Sequence, residues 1–107
     1  MNTHDSFETQ SKNILTQLRL HRETILAIVA RHGATNVRVF GSIARGEAQA
    51  DSDIDLLVTP TGKTGPWFPA GLILDLERTL GCGVDVVTDK GLNPLLRDRI
   101  LLEAQPL

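Results

Sequence analysis

Apolar residues fall at helical spacing from about Leu15, with Leu18, Ile25, Leu26 and Val29 on one face. Residues 1–13, before that run, are polar and are expected to be frayed or only partly helical. The chain therefore reads as a polar N-terminal segment, 1–13, followed by a single domain, 14–107. Gly33 after Arg31 and His32 gives a helix stop with basic residues in the last turn. Asn36 to Phe40 alternates as a strand does, with Val37 and Val39 on one side. Gly41-Ser42 follows, then a helix turn or two over Ile43 to Arg45 and a loop over Gly46 to Ser52. Asp53 to Val58 predicts a second strand and residues 59–66 a loop. Leu72, Leu76 and Leu80, one turn apart, predict a helix over Pro69 to Leu80, broken by Gly81 to Gly83. Val84 to Thr88 is a third strand. Asn93 at a cap and Pro94 in the first turn open a last helix, which runs to about Glu103 and ends before Pro106. Helices and strands alternate throughout, which suggests an α/β layer with three central strands.

Composition narrows the roles this layer can serve. With 107 residues there is room for one domain and a modest core. Apolar residues at 41% and charged residues at 22% are those of a soluble globular protein. No apolar stretch is long enough to span a bilayer, and the opening MNTHDSFETQ lacks a signal pattern, so no membrane role is expected. One cysteine, Cys82, excludes an internal disulfide, and a cytoplasmic location follows by default. Eleven basic residues scattered against thirteen acidic ones, a formal net charge of −2, argue against direct nucleic-acid binding, which needs many phosphates neutralised.

The chemistry begins with Asp53 and Asp55. Residues two apart in a strand share a face roughly 6–7 Å apart. Two carboxylates at that separation repel by about 2–3 kcal/mol at an effective dielectric near 20. A divalent cation reverses the sign of that interaction. Hard oxygen donors, few in number, suit Mg²⁺, which completes its shell with water and phosphate. The plainer reading of D-x-D alone is an exposed strand face that tolerates two acids. Asp85 changes the balance, because an Asp between Val84 and Val86 in a strand is unfavourable unless it is paired or binds metal. If the second and third strands are neighbours, Asp53, Asp55 and Asp85 meet at one site and can hold two ions, as in-line phosphoryl chemistry often requires. Gly41-Ser42, where a strand hands over to a helical turn, permits close backbone approach and points N–H groups at an anion, although ordinary turns use the same pair. Arg45 either contacts phosphate or pairs with a nearby acid.

Taken together, Val39 to Val58 reads VFGSIARGEAQADSDIDLLV. This resembles the signature of the polymerase-beta-type nucleotidyltransferase superfamily: G-S, about ten residues, then D-x-D at the start of a strand. The likeness is closer to its minimal members, the MNT-domain proteins, whose run G-S-x-A-R-G-x(5)-S-D-x-D-L matches Gly41 to Leu56 throughout. It extends loosely over most of the chain, including the VDVV strand and the helix LRDRILLEA. The resemblance implies an α+β nucleotidyltransferase fold, a small three-stranded mixed sheet packed with about four helices. It implies that Gly41 and Ser42 hold nucleotide phosphates, that Asp53 and Asp55 bind metal, and that Asp85 is a third acid helping to activate an acceptor hydroxyl. ATP would be the donor and Mg²⁺ the cofactor, with two ions.

Small MNT proteins resemble antitoxins encoded beside HEPN-domain ribonuclease toxins, which implies transfer of AMP to a tyrosine of the toxin. This chain has no tyrosine, so any tyrosine it modifies lies on a partner. Trp67-Phe68 could anchor that partner, or both rings could cover the small core. Two other functions stay open: neutralising the partner by binding alone, and transfer to a small molecule, for which a homo-oligomer could build the pocket. Gly62-Lys63-Thr64 looks like the end of a P-loop, but the glycine due five positions earlier is replaced by Leu57. His4, His21 and His32 lack metal-ligand spacing. His32 reads as a helix-end residue and Cys82, between two glycines, as a small filler.

Overall fold

The computed structural model describes residues 3–62 and 64–107, and of residues 3–5 the backbone alone. Lys63 of the P-loop-like run and the side chain of His4 thus lie outside the described residues.

Two helices open the chain, α1 (Thr3–Leu20) and α2 (Arg22–Arg31), with the break at His21. From Thr3 onward the polar opening is helical, and α1 continues across residue 13. Its stripe is thin but regular: Phe7, Ser11, Ile14 and Leu18 recur at helical spacing, with a serine standing where an aliphatic residue would be looked for. Ser11 is buried; its hydroxyl donates to the Phe7 carbonyl (2.7 Å) and accepts from the Ala48 N–H (2.9 Å). One hydroxyl therefore lets a polar residue occupy a core position and ties the 46–52 loop to α1.

The sheet has four strands where three were expected: β1 (Ala34–Phe40), β2 (Ile54–Pro60), β3 (Val84–Thr88) and β4 (Gln105–Pro106), in the order β3-β2-β1-β4. β2 runs antiparallel to β1 and parallel to β3, so the sheet is mixed; β4 is antiparallel to β1. β4 is two residues long and contains Pro106, which hid it from pattern reading; next to it the Leu107 N–H donates to the Val37 carbonyl (3.0 Å). β2 begins one residue later than the sequence suggests and continues through Pro60 in the predicted loop, where Thr59 and Pro60 pair with Thr35 and Ala34.

Strand pleating separates two faces. Ile54, Leu56 and Val58 join Val37, Val39, Val84 and Val86 in a core closed by Leu18 of α1, Ile25 and Val29 of α2, and Leu72 and Leu76 of α4 (Ala70–Leu80). His32, after α2, braces α4 through a 2.6 Å contact from its Nε2 to the Asp75 carboxylate. On the opposite face lie Asp55 and Leu57 of β2, with Phe40 and Arg38 opposite them on β1 and Asp85 and Val87 opposite them on β3. Leu57 is fully buried yet stands outside the main core cluster, as expected of the second face. A short helix, α3 (Ser42–Arg45), leaves β1 at the end of that face, and α5 (Pro94–Glu103) follows a 3₁₀ turn over Asp89–Gly91. The Asn93 side chain accepts the Leu95 N–H (2.9 Å) and caps α5 as the sequence predicts. α5 buries none of its residues and leaves Leu95 and Leu102 almost fully exposed. Among the described residues no helix is long and apolar enough to cross a membrane.

Candidate active site

Asp55 is the centre of the second face, and the strand register supplies its neighbours. Parallel pairing sets Asp85 directly across from it, and antiparallel pairing sets Phe40, the residue before Gly41, on its other side. The sequence-level condition for a shared site, adjacency of the second and third strands, is met. Asp53 precedes β2 rather than lying within it, and its carboxylate packs against Gly83 so closely that a Cβ there would overlap it. Asp53 and Asp85 are exposed; Asp55 is half-buried.

Gly41 shows why this turn needs glycine. Its φ of 76° and ψ of −153° lie in a region essentially reserved for glycine, and a Cβ would strike the Asp55 carboxylate. The turn before Ser42 is thus packed against Asp55. Partial burial, then the negative charges of Asp85 and Asp53, push the Asp55 carboxyl up to about 6, with Arg45 opposing and Glu103 adding to the shift. Two neighbouring acids thus act on Asp55.

Arg45 pairs with acids, the second of the two roles its position allowed: its guanidinium meets Glu47 at 3.2 Å and Glu103 at 3.0 Å. Glu103, the last residue of α5, is the site residue that sequence reading missed. It accepts the Gly41 N–H at 2.6 Å and encloses, with Phe40, Gly41, Ser42, Arg45, Asp55, Leu96, Arg99 and Ile100, a cleft of about 380 Å³. No local signal marks it, because the contact joins residues far apart in the chain. A larger cleft of about 470 Å³, between α1 and α4, contains none of the predicted site residues. Cys82 is exposed, between Gly81 and Gly83.

The carboxylates are hard oxygen donors suited to a divalent cation, and their mutual repulsion on Asp55 is the kind that a cation relieves. Among the described residues, however, no three His, Cys, Asp or Glu side chains already close around one point as a finished metal site. The expected cage for two ions is therefore not preformed by protein atoms alone, and phosphate oxygens would have to complete the shell.

A mixed sheet backed by helices on one face, with carboxylates beside a Gly-Ser turn on the other, is the layout of a nucleotidyl-transferring enzyme. The chain belongs to the nucleotidyltransferase domain family, whose model matches residues 22–107. It is 41% identical over 83 residues to MJ0435 of Methanocaldococcus jannaschii, a provisionally named protein adenylyltransferase, covering 78% of this chain and 89% of that one. It is 37% identical over 75 residues to the protein adenylyltransferase MntA of Thermococcus cleftensis, covering 68% and 74% of the two chains. A solved structure of a provisionally assigned minimal nucleotidyltransferase superimposes with a TM-score of 0.76 at 53% identity, over 87% of this chain and 95% of that one. The fold alone is shared, at 18% identity and a TM-score of 0.62, with the structure of a tri-AMPylated Shewanella oneidensis HEPN toxin in complex with an MNT antitoxin, over 82% of this chain and 69% of that one.

Proposed function

We propose that this nucleotidyltransferase transfers AMP from ATP to a tyrosine hydroxyl of a partner HEPN-type toxin, in a Mg²⁺-dependent reaction, and so acts as an antitoxin in the cytoplasm. The observation that carries the reading is the contact of the Asp55 carboxylate with Gly41, with Asp85 in register beside it. That contact makes Gly41, Asp55 and Asp85 neighbours, which supports a joint role in holding phosphate and balancing its charge. The adenylyltransferase names of the two archaeal relatives support the reaction class, and the AMPylated toxin bound to an MNT antitoxin supports the acceptor.

Gly41 and Ser42 hold the phosphates through backbone N–H groups and the serine hydroxyl, and Arg45 stands next to them. Asp53 and Asp55 would hold the cation and Asp85 would join them; when bound, it offsets charge on the attacking and leaving oxygens. Asp85, exposed at the edge strand, faces an incoming acceptor and draws the proton from its hydroxyl as the oxygen attacks the α-phosphate. Pyrophosphate leaves. The chain contains no tyrosine, so a phenolic acceptor comes from another molecule.

The test is to mix the purified chain with the product of its neighbouring gene and MgATP and to weigh the partner intact. The reading expects the partner to gain the mass of one or more AMP groups, with Asp53→Asn and Asp55→Asn abolishing the gain. Stoichiometric inhibition of the partner without a mass change would replace catalysis by binding alone.

A further inference from the structure

Glu103 occupies donors of the turn that the proposed function assigns to phosphate. Its Oε2 takes both the Gly41 N–H (2.6 Å) and an Arg45 guanidinium N–H (3.0 Å). Its side chain is only 14% exposed, and Arg99 flanks it at 3.9 Å. A carboxylate oxygen and a phosphate oxygen ask for the same partners, backbone N–H and guanidinium, and are both stabilised by charge-assisted bonds to them. The Gly41 N–H has one hydrogen and cannot fully serve two anions at once.

We propose that Glu103 is a built-in competitor for the phosphate subsite, and that it sets the triphosphate concentration at which the site fills. The inference rests on the reading of Gly41 to Arg45 as the phosphate-holding turn. Two features make the exchange local. α5 contributes no residue to the buried core, so turning the largely enclosed Glu103 side chain away costs its contacts with Gly41 and Arg45 but no core packing. The backbone just beyond is anchored, with Gln105 paired to Val39 and its side-chain amide donating to the Ala44 carbonyl (3.2 Å), so α5 stays in place while the carboxylate leaves. Departure frees the Arg45 Nη1 for phosphate, while its Nε keeps Glu47, and takes one negative charge away from Asp55.

A site that is open for about a tenth of the time binds about tenfold more weakly than one always open. The experiment is calorimetric titration of wild type, Glu103→Gln and Glu103→Ala with sodium tripolyphosphate, ATP and adenosine, each variant checked by its thermal melt. Glu103→Ala should bind tripolyphosphate and ATP about tenfold more tightly, with adenosine unaltered. Glu103→Gln, which keeps an acceptor but loses the charge, should fall between and carries the test if the alanine variant does not fold. Wild type binding ATP while both variants bind it equally or more weakly would overturn the competitor and make Glu103 a brace for the turn. Failure of all three proteins to bind either phosphate compound at millimolar concentration would overturn the phosphate-turn reading and this inference with it.

Discussion

The Asp55 carboxylate lies against the α-carbon of Gly41 with no room for a β-carbon between them. Asp55 sits in β2 and Gly41 at the end of β1, so antiparallel pairing of Phe40 with Asp55 is what brings them together. The glycine serves both strand exit and site, because its missing side chain leaves room for the acid.

Gly41→Ala should therefore fail twice. The added methyl meets the Asp55 carboxylate, and the φ of 76° with ψ of −153° is strained for any L side chain. Strain of this kind is worth about 1–3 kcal/mol. Urea denaturation should show a loss of that size, and AMP transfer should vanish even at temperatures where the variant stays folded. Unchanged transfer would separate the turn from the chemistry.

Asp55→Asn should lose activity and gain stability, with a pH dependence that identifies the cause. The folded Asp55 carboxyl is raised from 3.8 to about 6, so the native state holds this proton more tightly than the unfolded chain. That contribution to stability is fully present below about pH 4, declines as pH rises towards 6 and is absent above it. Asp55 is only half-buried, so solvent screening reduces the effect at pH 7 to on the order of 1 kcal/mol. The Asn variant, having no proton to lose, should be more stable than wild type by that amount at pH 7.5 and equal to it at pH 3.5. Mg²⁺ should raise the melting temperature of wild type and not of the variant, and the rise should shrink below pH 6. An equal Mg²⁺ response in both proteins would remove Asp55 from the cation site.

The sequence carried much of this site because its information was local. G-S and D-x-D flank one passage from β1 through α3 to β2, and the valine surroundings of Asp85 made it a candidate. What stayed hidden depends on contacts between distant segments. Glu103 reaches Gly41 from the far end of the chain, and β4 exists only because β1 offers it an edge. The burial of Ser11 rests on an N–H from the 46–52 loop, which no pattern within α1 reveals.

Ser11→Ala should test that buried hydroxyl. Removing it leaves the Ala48 N–H unpaired in the interior, at a cost of about 1–3 kcal/mol. The loss should appear in urea denaturation as a lower midpoint with an unaltered slope. Ser11→Thr keeps the acceptor and should retain more of the stability. An alanine variant as stable as wild type would mean that water replaces the hydroxyl without penalty.

Trp67 offers a way to separate folding from partner recognition. Of the two neighbouring rings, Phe68 packs against the core, while Trp67 is 79% exposed. The sequence allowed both rings to cover the core; only one does. A side chain so exposed has little to lose in the isolated protein, and substitutions of that kind usually change stability by less than about 0.5 kcal/mol. Trp67→Ala should accordingly melt like wild type. A large exposed aromatic is nevertheless the residue type that most often dominates binding energy at a protein interface. If the partner toxin docks on this loop, Trp67→Ala should raise the dissociation constant at least tenfold, equal to about 1.4 kcal/mol. ATP affinity should stay the same, because Trp67 lies outside the cleft lined by Gly41, Arg45 and Asp55. A variant with wild-type melting and wild-type partner affinity would move the interface elsewhere, and the exposed leucines of α5, Leu95 and Leu102, would be the next residues to replace.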